Sequence, residues 1–238
     1  MSIILKNNRQ TTDPKLDRLV EFDERSRKFS IGDIREKSQK LRSYTWRCNE
    51  WFDQGNDGAC VAFSLGHELA ARPSEVKGLK NKHLIEDIYW EAQKTDPWVG
   101  GAYPDAKPKY EGTSVLSGVK VVKDLGYIEE YRWAFNIDDI LYGIGHNGPA
   151  ILGVYWFRNM HYPDENGFVT PTGGISGGHA VLARAINIKE KYVTIRNSWG
   201  KSWGDKGDCY ITFDHLEYLM KLQGECCFLM HRKTKLDK

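Results

Sequence analysis

From Cys60 onward the apolar positions follow two regimes, first the period of a helix and later the period of a strand. In CVAFSLGHELAARP, Ala62, Phe63, Leu65 and Leu69 lie near one face and Arg72-Pro73 closes the run, so a helix is expected to begin at or near Cys60. KNKHLIEDIYWEAQKTD brings Ile85, Ile88, Tyr89 and Ala92 round at helical spacing. SVLSGVKVVKDLG does the same with Val115, Val119 and Val122, behind Thr113 or Ser114 as N-cap and with Gly126 as the stop. NIDDILYGIG repeats Ile137, Ile140, Leu141 and Ile144 behind Asn136. After Pro149 the period shortens to two. AILGVYW reads as a strand, Asn166-Gly167 as a tight turn, HAVLARAINI and KYVTIRNSW as a hairpin across Lys189 to Lys191, and CYITF and ECCFLM as further strands.

Residues 1 to about 45 hold neither period. They are charged and polar, and only RLVEFDERSRKFSI is suited to pack, which predicts an arm lying on the body of the molecule. The remainder, 46–238, divides into a helical lobe over about 55–147 and a β lobe over about 148–232, an α+β arrangement without internal repeat or low-complexity segment.

Charge narrows the partners. Thirty-four basic against 32 acidic residues leave a formal charge of +2, so there is no global field to draw in nucleic acid or an anionic membrane, and neither is expected as a partner. No apolar stretch approaches the roughly 20 residues of a membrane span. MSIILKNNRQ offers only Ile3 to Leu5 where a signal peptide needs ~7 to 15 apolar residues, so the expected location is cytoplasmic, or the virion or a delivered form if the source is viral. The five cysteines, Cys48, Cys60, Cys209, Cys226 and Cys227, are irregularly spaced and suggest a reducing compartment rather than a disulfide framework. With no C-x-x-C pair, and with Cys226 and Cys227 facing opposite sides of a strand, no metal or cofactor is expected. The oligomeric state has no signature in the chain.

One cysteine stands apart. DQGNDGACVAFS sets Cys60 between a glycine-containing polar loop and the start of a helix, a position that suits either a buried structural thiol or a nucleophile. A nucleophilic cysteine needs a base, a group to orient the base, and donors for the oxyanion. Of the seven histidines, His179 is delivered by GGISGGH onto the first residue of a buried strand; taken alone it reads equally as a structural histidine. His67 and His83 read as solvated helix positions, and His146, His161, His215 and His231 as surface residues. In RNSWGKSWGDKGD, Asn197 is placed to offer a carbonyl oxygen to an imidazole on the neighbouring strand. Trp199 and Trp203 follow, either as packing or as a cover for that hydrogen bond.

Q-G-x-x-G-A-C-x-A-F-S, then G-H-A-V, then N-S-W-G-x-x-W-G, in that order, resembles the papain-like cysteine peptidases, and the resemblance covers about residue 50 onward. It implies a two-lobed fold, a helical lobe beside a β-barrel-like lobe with the active cleft between them. It implies Cys60 as nucleophile, His179 as general base and acid, Asn197 as the orienting residue, and Gln54 with the Cys60 backbone N–H as oxyanion donors. YEGTSV matches the family's glycine-containing substrate loop, which makes Glu111, Gly112 and Thr113, with Gly178 before the histidine, candidate substrate-binding residues on the acyl side. The helix start and a nearby imidazolium would both lower the thiol pKa, so the resting pair is expected to be thiolate and imidazolium.

The chain departs from that pattern at several points. Asp57 stands where the family has a disulfide cysteine, Val61 where it has a tryptophan, and Gly178 where an aspartate is common. The interval from Cys60 to His179 is shorter than the family's ~130 to 150 residues. The stretch before Cys60 is too short for the family's long helical pro-segment, as in the short forms of bacteria and their viruses, so control by removal of a pro-segment is not expected. The predicted activity is that of a cysteine endopeptidase hydrolysing peptide or isopeptide bonds of a polypeptide substrate through a thioester acyl-enzyme. An acyl transferase with the same triad, or a silent papain-fold binding protein with the arm docking a partner, stand as alternatives.

Overall fold

The computed structural model describes residues 2–5, 13, 15–36 and 38–234. The strands β1 (Ser2–Leu5) and β2 (Arg18–Asp23) pair antiparallel, and two short 3₁₀ turns, Glu24–Phe29 and Ile31–Ile34, follow. These elements lie in the first 45 residues, where Arg18 to Glu21, Asp23, Ser26 and Ile31 are buried, as is Leu16 before them. After β3 (Tyr44–Thr45) comes α1 (Cys60–Leu69), the helix expected at Cys60. Its N-cap, Ala59, makes no side-chain cap hydrogen bond.

The second expected helix is α2 (Asn81–His83) and α3 (Trp90–Thr95) joined by a π-helical turn, Leu84–Tyr89. The wider turn buries Leu84, Ile88 and Tyr89 and leaves Ile85 half-buried. Then come β4 (Thr113–Ser114), α4 (Val115–Asp124), β5 (Glu130–Ala134) and α5 (Ile137–His146). The predicted caps hold: Ser114 accepts from the Ser117 N–H and Asn136 from the Asp139 N–H. The remaining elements are β6 (Ala150–Phe157), β7 (Ile175–Asn187), β8 (Tyr192–Arg196), β9 (Asp208–Thr212), α6 (Phe213–Lys221) and β10 (Glu225–Met230). Neither β5 nor α6 was expected. EYRWA lacks a clean alternation, and α6 buries only Leu216 and Leu219.

The main sheet runs β5-β10-β6-β7-β8-β9 with β3 beside β7, and its antiparallel path stays open rather than closing into a barrel. Strand alternation makes it the partition between two cores. On β7, Ala180 and Leu182 join the core built around α1 and α4, whereas Val181 and Ala183 join the one under α5 and α6. Cys226 and Cys227 on β10 divide in the same way, as their adjacency predicted. Among the described residues no helix is long and apolar enough to cross a membrane.

A second, three-stranded sheet, β1-β2-β4, attaches the arm to the body. Here β2 runs parallel to β4, with Arg18 beside Thr113 and Leu19 beside Ser114.

Candidate active site

Strand β7 carries His179 into the interior, opposite Val154 on β6, and the ring is fully buried. Its Nε2 lies 2.8 Å from Asn197 Oδ1, and the Ser198 N–H donates to the same oxygen at 2.8 Å. Because Oδ1 is thereby fixed as acceptor, Nε2 is the protonated nitrogen and Nδ1 carries the lone pair. That Nδ1 is buried and has no hydrogen-bond partner among the described residues. Trp199 stacks on the imidazole, centroids 5.1 Å apart at 28°, and Trp156 meets it edge-on at 5.0 Å. The indole that covers the Asn–His bond is therefore Trp199. Trp156 was overlooked, although alternation from Val154 places it on the face that carries His179.

Cys60 is fully buried at the start of α1, and the backbone N–H of Ala180, the residue after His179, reaches its sulfur. Gln54 is held on the adjoining loop. Its backbone N–H donates to the Ser198 carbonyl at 2.9 Å and its Oε1 accepts from Ser198 Oγ at 2.6 Å. Its Nε2 donates to the Asp57 carbonyl at 2.7 Å and to the Lys15 carbonyl at 3.3 Å. Asp57, at the position of the family's disulfide, thus anchors the loop through a hydrogen bond, and all five cysteines are free.

The loop that carries the substrate-binding candidates is tied down from behind. Glu111 Oε2 accepts from the Gly58 N–H at 3.2 Å and from Tyr89 Oη at 2.8 Å. The Gly112 N–H donates to Tyr89 Oη at 2.8 Å, and the Gly112 carbonyl accepts from Gln93 Nε2 at 2.9 Å. Gly112 has φ +96°, and a Cβ there would lie 2.1 Å from the Asp17 carbonyl oxygen, so only glycine fits.

That contact shows what fills the cleft. Asp17 bridges Gly178, and its N–H also reaches the Cys60 sulfur. Lys15 lies over Trp199 at 5.7 Å, Asp13 pairs with His161 at 3.7 Å, and Leu16 is buried. On the other side Arg18 enters a pocket against Glu225, and Glu21 accepts from Ser114 Oγ at 2.7 Å. An extended arm, rather than a helical pro-segment, lies across the cysteine. Sequence reasoning placed the arm on the body but not in the cleft.

Burial reverses the expected charge state in this conformation. It pushes the Cys60 thiol up to about 11, against the Ala180 and Asp17 N–H groups that pull the other way. It pushes His179 down to about 4, against the raising effect of Asn197. With the arm seated the pair is a neutral thiol and a neutral imidazole, not thiolate and imidazolium.

Other histidines also moved from their expected settings. His67 is fully buried, because its Nε2 accepts the Phe52 N–H at 2.9 Å, and His161 is half-buried and stacks on Trp199 at 5.3 Å.

Residues 88–226 match the model of the papain family cysteine proteases, a span that contains Gly112, His179 and Asn197 and begins after Cys60. Over 118 residues the chain is 31% identical to a cathepsin B-like cysteine proteinase 3 of Ostertagia ostertagi, covering 47% of this chain and 67% of that protein. An uncharacterized peptidase C1-like protein of Acanthamoeba polyphaga mimivirus is 22% identical over 205 residues, 65% of this chain and 61% of the other. Among solved structures, xylellain, a cysteine protease from Xylella fastidiosa, superposes with a TM-score of 0.69 over 97% of this chain and 100% of its own, at 18% identity. The Carica candamarcensis cysteine protease CMS1MS2 superposes at 0.59 over 82% of this chain and 100% of its own, at 17% identity. At these identities the structural likeness speaks to the fold.

Proposed function

The chain belongs to the papain family of cysteine proteases, and from that membership we infer that it is a peptidase in which Cys60, His179, Asn197 and Gln54 carry the reaction. The observation that supports this most directly is the buried imidazole. Its Nε2 is fixed on Asn197 under Trp199, its lone-pair nitrogen has no hydrogen-bond partner among the described residues, and the sulfur of Cys60 lies against the next backbone N–H.

His179 takes the thiol proton, and the thiolate attacks the scissile carbonyl of a polypeptide to give a tetrahedral oxyanion. Gln54 Nε2 and the Cys60 N–H hold that oxygen; the amide of Gln54 already donates to a carbonyl, that of Lys15. The imidazolium then protonates the leaving amine, of a peptide or an isopeptide bond, and the thioester forms. Water activated by His179 releases the acyl product as an endopeptidase would. Asn197 stabilises the imidazolium and holds the ring with Nδ1 as its lone-pair nitrogen.

In the conformation described, residues 15–19 occupy the place of substrate, and turnover requires that they withdraw. They run from the Trp199 side past Cys60 toward Thr113, opposite to the acyl-to-leaving-group direction of a substrate whose acyl side lies at Gly112 and Thr113. Labelling with a peptidyl electrophile followed by mass mapping tests the reading. Modification is expected at Cys60 and absent in Cys60→Ala, with slow labelling in His179→Ala; modification at Cys48 or Cys209 instead would sink the assignment.

A further inference from the structure

Between the arm and the body lies a cavity of about 320 Å³. The arm walls it with Phe22, Asp23 and Ser26, and the body with Leu116, Trp133, Ile137, Met220 and Cys226. Cys60, Gln54, His179, Thr113 and Arg18 form no part of that wall. The arm is fastened at both ends of the stretch that walls it. Before it, β2 pairs with β4 through Arg18 and Leu19; after it, Ser30 bridges Trp133 on β5, and Arg132 Nη1 donates to the Ser30 carbonyl at 3.1 Å. Arg27 lies over the Phe22 ring at 5.0 Å and over the Phe135 ring at 5.6 Å, so one exposed side chain spans an arm ring and a body ring that both line the cavity.

We propose that this cavity binds a small neutral molecule with an apolar body and one hydrogen-bond acceptor, and that such a ligand holds the arm over Cys60. Trp133 is buried, and its indole N–H has no hydrogen-bond partner among the described residues. A ligand carbonyl oxygen in the cavity would accept from that N–H, and a buried donor gains most from a partner when it has none. The acids along the wall are already engaged. Glu21 accepts from Ser114 and Ser117, Glu225 pairs with Arg18, Glu217 pairs with Lys221 at 3.0 Å, and Asp23 pairs with Arg25 at 2.5 Å. An anion would meet those carboxylates, and a cation would compete with the bases that hold them, so the occupant is neutral. Phe22, Leu116, Ile137, Met220 and Cys226 offer its body an apolar surface. An apolar cavity of roughly 150 Å³ takes up benzene, so a substituted benzene fits this larger one. Because the arm supplies part of the wall, the ligand binds the closed form better than the open one, and by linkage it opposes withdrawal of residues 15–19. Nothing in this depends on the reaction carried out at Cys60.

Three probes of nearly the same shape test the site: acetophenone, which carries a carbonyl, ethylbenzene, which lacks it, and benzoate, which is charged. Each is titrated calorimetrically into the full chain. Acetophenone is expected to bind saturably, and ethylbenzene and benzoate roughly 3- to 10-fold more weakly. In Trp133→Phe, which keeps a ring but removes the N–H, acetophenone and ethylbenzene should become equal. Alkylation of Cys60 by iodoacetamide then reports the arm. With acetophenone at ten times its dissociation constant, labelling should slow by about tenfold, because the open fraction falls as the ligand holds the closed form. The ethylbenzene comparison and the labelling rate are both read on the parent chain, so they stand even if Trp133→Phe folds poorly. No saturable binding of acetophenone, ethylbenzene or benzoate binding as tightly as acetophenone, a carbonyl preference that survives Trp133→Phe, or a labelling rate unmoved by saturating acetophenone each overturns the assignment.

Discussion

The two nitrogens of His179 are held in different ways, and this asymmetry is the chemical content of the site. Nε2 is committed to Asn197 Oδ1 at 2.8 Å, an oxygen that the Ser198 N–H also fixes, so the ring cannot exchange tautomers without losing a buried hydrogen bond. Asn197→Ala removes that acceptor while leaving Cys60 and the cleft walls in place. Steady-state kinetics should show kcat/KM lower by about 10- to 10²-fold, carried by kcat, by analogy with the loss of a partner that orients an imidazole. Gln54→Ala should act through the oxyanion instead, lowering kcat by about 10²- to 10³-fold. An unchanged kcat in that variant would transfer the oxyanion role elsewhere. Cys60, His179, Asn197 and Gln54 could be proposed from the chain because each lies in a short motif whose neighbours include glycines, serines and tryptophans with restricted uses. His67 was misread for the converse reason: a polar ring on a helix looks solvated until the Phe52 N–H, from a different segment, claims its nitrogen.

At the scale of elements, the arm lies over those residues, with Asp17 against Gly178 and the Cys60 sulfur. β2 is held by only two pairings to β4, but it adds buried side-chain contacts, Arg18 to Glu225 and Glu21 to Ser114 and Ser117, the last at 3.3 Å. Removing one partner of a buried ion pair typically costs about 3–5 kcal/mol, enough to shift a docked segment markedly toward its open form. Arg18→Ala in the full chain should therefore speed alkylation of Cys60 by iodoacetamide at pH 7 by about tenfold or more. In the parent chain the thiol is fully buried and raised to about 11, so labelling should be slow. Equal labelling rates for the two chains would show that the arm does not limit access. The sequence singled out RLVEFDERSRKFSI within this segment as suited to pack. It did not reveal the docking site, because an extended charged strand has no period that names its partner and Glu225 lies at the far end of the chain.

Across the whole molecule, the sheet is a shared wall between two cores. Glu68 on α1 is fully buried beside Arg232, 3.0 Å away, and burial raises its pKa to about 7, with Arg232 pulling the other way. A carboxyl whose pKa is higher folded than unfolded binds its proton more tightly in the native state. Its contribution to stability is thus complete below about 4.5 and is lost as the pH rises through about 7. Thermal melts across that window should show the parent chain losing stability relative to Glu68→Gln as pH rises; a constant difference would mean that Glu68 does not titrate there. The sequence by itself pointed to the four residues proposed to react and to the helix caps at Ser114 and Asn136, because each depends on neighbours within one turn or one strand. Tertiary structure alone decided that the sheet stays open and serves two cores, that burial holds Cys60 and His179 neutral, and that an arginine near the start of the chain fills a pocket floored by Glu225. Desolvation and long-range ion pairing depend on which distant segments exclude water together, and local periodicity carries no record of that.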